Sequence, residues 1–143
     1  MSKGALSPRL AAIVEALPLR PGMRVLEIGG APGAAAKAVA HRIGGGHILV
    51  IDRSAKGVAL IERNAAAEIE AGLLSVRCSA AEEFRLAAGE PLFDIAFAVR
   101  VGALDGRHPD AGRIAKERIA AALVPGGRLF VDGGAPLLEV GLP

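Results

Sequence analysis

Val25-Leu26-Glu27-Ile28-Gly29-Gly30-Ala31-Pro32-Gly33 decides how this 143-residue chain folds. Residues 23–28 form a near-continuous apolar run of strand length, the pattern of a strand buried on both faces of a parallel sheet. Gly29, Gly30 and Gly33 around Ala31-Pro32 then break the strand, since glycine permits a tight turn and lets another group approach the backbone. Residues 34–43 are Ala-rich helix, and Gly44-Gly45-Gly46 ends it.

Outward from this unit the pattern recurs. Residues 8–17 carry Leu10, Ile13, Val14 and Leu17 at helical spacing, with Ser7 as N-cap and Pro8 at the first helical position. Residues 47–52, His47 to Asp52, predict strand 2. Ser54 caps a helix running to residue 71, weakened by Gly57 near its start and stopped by Gly72. Residues 74–78 predict strand 3, residues 80–86 one or two helical turns, and residues 93–99 strand 4. A loop over residues 100–109 leads into a helix over 110–123, with Ala115, Ile119, Ala122 and Leu123 on one side. Pro125-Gly126-Gly127 turns the chain into strand 5, residues 128–132. Five strands alternating with helices predict an α/β fold: a doubly wound, mainly parallel sheet with helices on both faces, in a single domain spanning residues 1–143.

Composition narrows the function classes. The chain is 52% hydrophobic, yet its longest stretches without Asp, Glu, Lys or Arg are far shorter than the ~20 residues a membrane helix needs, so no membrane association is expected. Aromatic residues make up only 3%, which disfavours modules that stack bases on rings. The net charge is +2, and the 13 Arg and 4 Lys are scattered rather than gathered on one face, so nucleic acid is an unlikely partner. Cys78 is the only cysteine and is expected to be a buried, inert thiol. Met1-Ser2-Lys3-Gly4 leads into no apolar signal segment, and a cytoplasmic location is the expectation. No His, Cys, Asp and Glu cluster has metal-ligand spacing, so no metal is expected.

Open parallel sheets bind ligands beyond the carboxyl ends of their strands. The glycine segment after strand 1 fails the dinucleotide pattern Gly-x-Gly-x-x-Gly in both frames: Ala31 and Ala34 stand in one, Pro32 and Ala35 in the other. What remains is Glu27 two residues before the first glycine, and Asp52 closing strand 2. A carboxylate at the end of strand 2 suits the vicinal hydroxyls of a ribose. In the loop after strand 4, His108 is a candidate general base, although His-Pro-Asp is also a helix-start signal. Arg100 and Asp105 are further catalytic candidates, with a surface ion pair between them as the plainer alternative. His41 at a helix end and His47 at the far end of strand 2 are expected to be structural.

Taken with Ile51-Asp52-Arg53-Ser54, Phe93-Asp94-Ile95-Ala96-Phe97 and Leu123-Val124-Pro125-Gly126-Gly127-Arg128-Leu129, the opening segment resembles the class I S-adenosylmethionine-dependent methyltransferases over residues 20–132. That resemblance implies a Rossmann-like sheet of order 3-2-1-4-5 and S-adenosyl-L-methionine as cofactor; methyl transfer to a small-molecule acceptor is the expected activity. It implies that Gly29, Gly30, Ala31, Pro32 and Gly33 cradle the methionine part of the cofactor and that Glu27 orients its amino group. Asp52 would hold both ribose hydroxyls, with Arg53 flanking the adenine. Ala80 would offer its N–H to the adenine edge, with Ser79 beside it. Ala98, Val99 and Arg100 would line the meeting place of methyl donor and acceptor.

The sequence departs from that family at two cofactor positions: Ala31 replaces the central glycine of the loop, and Ser79 an acid that reads adenine, for which Glu82 or Glu83 could substitute. A non-catalytic S-adenosylmethionine-binding or scaffold module of the same fold is therefore the alternative expectation. An RNA 2′-O-methyltransferase ranks lower, because Lys3, Lys37, Lys56 and Lys116 supply no strand-end lysine for its Lys-Asp-Lys-Glu set. An oxidoreductase is disfavoured by the failed dinucleotide pattern. Family members usually add two strands after strand 5, and here only residues 133–143 follow, leaving Leu129-Phe130-Val131 as an apolar edge. Either a homodimer through that edge or residues 136–142 folded over it is expected to cover it.

Overall fold

The buried strand at the centre of the protein is β1 (Arg24–Ile28), in which Val25, Leu26 and Ile28 are almost wholly removed from solvent. The computed structural model describes residues 6–143; the Met1-Ser2-Lys3-Gly4 segment, Lys3 included, lies outside the described residues. β1 pairs in parallel with β2 (His47–Asp52) on one side and β4 (Phe93–Ala98) on the other. β3 (Leu74–Cys78) extends the sheet beyond β2, and β5 (Leu123–Asp132) extends it beyond β4, both parallel to their neighbours. Strand side chains alternate between two cores. Val25, Val50 and Phe97 pack with Val39 and Ile61 on one face, while Leu26, Ile28 and Leu129 pack with Phe84 and Ile119 on the other. The sheet is thus doubly wound, as expected.

On the first face lie α1 (Pro8–Ala16), α2 (Ala34–Ala40) and α3 (Ala55–Asn64). Ser7 and Ser54 cap α1 and α3 as predicted, accepting from Leu10 N–H at 3.2 Å and Gly57 N–H at 3.1 Å. The second face is covered by α5 (Pro109–Ala122) and a 3-10 turn, Ala81–Glu83, the only helical part of residues 80–86. The predicted helix over 54–71 is divided at Ala65 into α3 and α4 (Ala66–Glu70). No glycine or proline marks that break; it falls beside Asn64, whose side-chain amide donates to the Pro32 carbonyl at 2.9 Å. His41 and His47 are structural: His41 Nε2 meets Glu68 at 2.9 Å, and the His47 ring bridges the Gly72 carbonyl and Ser75 hydroxyl. Cys78 is exposed, not buried, because it closes a sheet-edge strand.

Strand number and strand 5 both need correction. The sheet has six strands in the order β3-β2-β1-β4-β5-β6, because β6 (Leu137–Val140) runs antiparallel along β5, Leu129 facing Val140 and Asp132 facing Leu137. β5 begins at Leu123 rather than 128; its register with β4 shifts between Phe93 and Ile95, and Gly126 at φ +80° accommodates the extra residues. Of the two coverings expected for the β5 edge, the tail occupies it. The open edge that motivated a homodimer contact does not exist in this arrangement. Among the described residues, no helix is long and apolar enough to cross a membrane.

Candidate functional site

Parallel β1, β2 and β4 end together on one side of the sheet, so the segments that follow them converge there. Gly29 N–H continues the ladder to the Ile51 carbonyl at 2.8 Å, and the chain then leaves β1 with Gly29 at φ +69°. Gly30 is required by space: a Cβ there would enter the Val50 side chain and lie 2.9 Å from the Glu27 carboxyl carbon. The turn therefore closes directly over Glu27. Gly33, at φ +105°, precedes α2 and faces Ile61.

Two carboxylates flank this turn and differ in how they are held. Asp52 is 9% exposed and ties two segments together, Oδ2 accepting from Ala31 N–H at 3.2 Å and Oδ1 from Ser54 N–H at 3.0 Å. Gly57 makes that seat possible, since a Cβ there would lie 2.6 Å from Asp52 Oδ1. Glu27 is 3% exposed, and its Oε1 is buried with no hydrogen-bond partner among the described residues. Burial, reinforced by the charge of Asp52, pushes the Glu27 carboxyl up to about 8. A carboxyl orphaned in this way invites a donor or cation from a ligand.

Two cavities meet at Gly29 and Arg100. The larger, about 600 Å³, is bordered on the β2 and β3 side by Asp52, Arg53, Ser79 and Ala80, and on the β4 side by Arg100 and His108. The smaller, about 410 Å³, holds Glu27 with Gly30, Ala31 and Pro32, and is walled by Val99 and Arg100. Both volumes fall in the ~300–1,000 Å³ range of small-molecule sites. Gly33 and Ala98 border neither: Gly33 supports the start of α2 and Ala98, 1% exposed, belongs to the core. Asp105 also lies outside both, and its partner is Arg107 rather than Arg100, at 2.8 Å. Proximity decides this pairing, because Arg107 Nε reaches both Asp105 oxygens.

Arg100 joins the cavities in an unusual conformation, φ +58°, which costs a non-glycine residue energy and marks it as held by its surroundings. The holder is Asp132 at the end of β5. Its Oδ1 accepts from Arg100 N–H at 2.9 Å and its Oδ2 pairs with Arg9 of α1 at 2.7 Å. Arg9 in turn lines the smaller cavity. Neither residue stood out in the sequence. Asp132 follows the same strand-end logic that singled out Asp52, whereas nothing local marked Arg9. Among the described residues no cluster of His, Cys, Asp and Glu could hold a metal ion.

No family model matches this chain, nor does any curated protein. Solved structures do. The [4+2]-cyclase SpnF is 26% identical over 85% of this chain and 42% of its own, with a TM-score of 0.68. A SAM-dependent methyltransferase from Thiobacillus denitrificans, in complex with S-adenosyl-L-homocysteine, is 24% identical over 92% of this chain and 50% of its own, TM-score 0.67. Coclaurine N-methyltransferase, bound to N-methylheliamine and SAH, is 18% identical over 85% of this chain and 34% of its own, TM-score 0.67. The chain thus spans half the length of these proteins or less. Its fold is that of the class I S-adenosylmethionine-dependent methyltransferases.

Proposed function

We propose that the protein binds S-adenosyl-L-methionine across the two cavities and transfers its methyl group to a small-molecule acceptor. The observation that carries this proposal is the pair of buried carboxylates on either side of the glycine turn: Glu27 with an unsatisfied oxygen, and Asp52 lining the larger cavity. They fit the cofactor chemically. An ammonium group or a water bound to it would satisfy Glu27 Oε1. Each Asp52 oxygen accepts one backbone N–H and keeps a second lone pair for a ribose hydroxyl. Ser79 and Ala80 border the same cavity where the adenine would lie, and Arg53 flanks it.

When bound, the cofactor would supply an electrophilic methyl carbon and the acceptor the electron pair of the new bond, sulfur keeping the pair of the broken carbon–sulfur bond; a proton on the acceptor would pass to a base. The chain's own part is alignment, which can supply ~7–11 kcal/mol of such a barrier. Asp132 contributes by fixing Arg100 and Arg9 around the place where the cavities meet. His108, on the wall of the larger cavity, is the residue positioned to take the acceptor's proton.

Calorimetric titration with S-adenosylhomocysteine tests the proposal; micromolar binding is expected, and no heat at millimolar ligand would overturn it. A more selective prediction concerns Gly57→Ala. Replacing a glycine in α3 gains up to ~1 kcal/mol of helix propensity, but the new Cβ displaces Asp52 Oδ1. The variant is expected to melt within a few degrees of the parent chain while losing at least about tenfold in S-adenosylhomocysteine affinity, one to two orders being the cost of a misplaced charged hydrogen bond. Unchanged affinity would show that Asp52 takes no part. A non-catalytic binding module is favoured by one observation, Ala31 with its N–H already engaged by Asp52. It predicts the same binding with no label transferred from labelled cofactor to any acceptor. The lysine set of the 2′-O-methyltransferases has no strand-end counterpart among the described residues, Lys37, Lys56 and Lys116 all lying on helices.

A further inference from the structure

Charge is segregated across the larger cavity. Both of its acidic residues, Asp52 and Glu82, stand on the β2 and β3 side, together with Arg53. The opposite wall, formed by residues 100–111, carries Arg100, Arg107 and His108 and no lining acid. Two carboxylates belong to this segment: Asp110, which does not line the cavity, and, offsetting part of the Arg107 charge, Asp105. Both its oxygens bind Arg107 Nε, at 2.9 and 2.8 Å, and Oδ1 also accepts Arg107 N–H at 3.2 Å. The guanidinium is thereby oriented through Nε, and among the described residues its two terminal amino groups make no hydrogen bond to a carboxylate. Arg107 Nη2 lies 3.3 Å, and His108 Cδ2 3.0 Å, from where a Cβ on Gly102 would stand, so the two basic side chains meet over a residue that has no side chain of its own. Arg100 has no carboxylate partner for its guanidinium among the described residues, and Asp132 fixes its backbone.

Guanidinium groups held with their amino ends open match the oxygens of a carboxylate or phosphate, often two bonds at a time. We infer that the wall formed by Arg100, Arg107 and His108 binds an anionic group, carboxylate or phosphate, on a small molecule, and that the methyl acceptor is such an anion. The second half of this inference rests on the methyl-transfer proposal above; the first does not. The acceptor is anchored by its charge on the β4 side, while Asp52 faces it across the cavity and repels a second anion from the cofactor's place. Arg107 sets the acceptor's orientation, and His108 lies beside its nucleophilic end.

The test uses the full chain, 15N-labelled, with arginine Nε–Hε signals followed by NMR at constant ionic strength. The probes are inorganic phosphate, sodium benzoate and neutral benzamide. Saturable shifts of the Arg107 and Arg100 signals are expected with phosphate or benzoate and not with benzamide, the tighter anion identifying the source. Arg107→Gln is expected to weaken anion binding by about tenfold or more, the loss of a charged bidentate contact, whereas Arg63→Gln, on exposed α3, leaves it unchanged. Absence of saturable shifts, equal shifts with benzamide, or equal loss in both variants would overturn the inference. So would tighter, steeply salt-dependent binding of a single-stranded RNA oligonucleotide at these signals. Anion binding without S-adenosylhomocysteine binding leaves the anion site standing and removes its role as acceptor; the converse removes the anion site and leaves the cofactor proposal intact.

Discussion

Asp52→Ala is expected to abolish measurable S-adenosylhomocysteine binding and to lower the melting temperature by roughly 10 °C. Two separate losses combine. The variant removes a side-chain carboxylate that bridges the glycine turn to the start of α3, so Ala31 N–H and Ser54 N–H lose their acceptor together. A hydrogen bond to a charged acceptor contributes ~1.5–3 kcal/mol, and water entering from the cavity recovers part of it, leaving a net cost of about 2–4 kcal/mol. In addition, the proposed contact to the ribose hydroxyls is lost. Asp52→Asn separates the effects: one amide oxygen still accepts, but the amide nitrogen faces a backbone N–H that needs an acceptor. An intermediate melting temperature with binding still lost is expected. Calorimetry and thermal unfolding of both variants are the measurement, and full binding by Asp52→Ala would remove Asp52 from the site.

The second large effect is a pH dependence centred on Glu27. Its carboxyl titrates near 8 in the folded protein, against 4.5 for an exposed glutamate. Between these values the folded state holds a proton that the unfolded chain does not. Folding stability from this residue is therefore full below about pH 4.5 and falls as pH rises through 8, by on the order of 4–5 kcal/mol. Glu27→Gln has a similar shape and no titration, so its advantage over the parent chain is expected to grow from pH 5 to about pH 8 and to level off above it. Urea unfolding at pH 5, 7 and 9 gives the measurement; parallel stability profiles for the two proteins would refute the assignment. Because Asp52 contributes to the upward shift, Asp52→Ala should flatten the profile in part. A bound ammonium would draw Glu27 back to its ionised form. Cofactor binding at pH 7 is then expected to release close to one proton, read as a binding enthalpy that varies with the ionisation heat of the buffer.

Glu27 and Asp52 were legible in the sequence, Glu27 because it stands two residues before the glycine turn and Asp52 because it closes an apolar run, so that their places near strand ends follow from local pattern alone. The cost and the chemistry of Glu27 were not. They depend on Gly30 closing over it and on Asp52 lying nearby, and neither contact is encoded by spacing. Asp132 and Arg9 are 123 residues apart, and they pair only because the fold brings the start of α1 to the end of β5. Gly57 looked like a weak point in a helix; it is the space into which the Asp52 carboxylate fits. For Asp105, the neighbouring Arg107 won over the more distant Arg100.

By itself, then, the sequence determined the order of the first five strands, the parallel sheet and the end of that sheet where the candidate site lies, because hydrophobic period and glycine placement act over a few residues. Only the tertiary structure decided the sixth strand, whose four residues, Leu137–Val140, have too little pattern to declare themselves and become a strand by pairing with β5. It also decided the left-handed Arg100, the orphaned oxygen of Glu27 and the basic wall opposite Asp52. These features arise from contacts between segments far apart in the chain. Their energies depend on burial and on neighbouring charge, which exist only once the chain has folded.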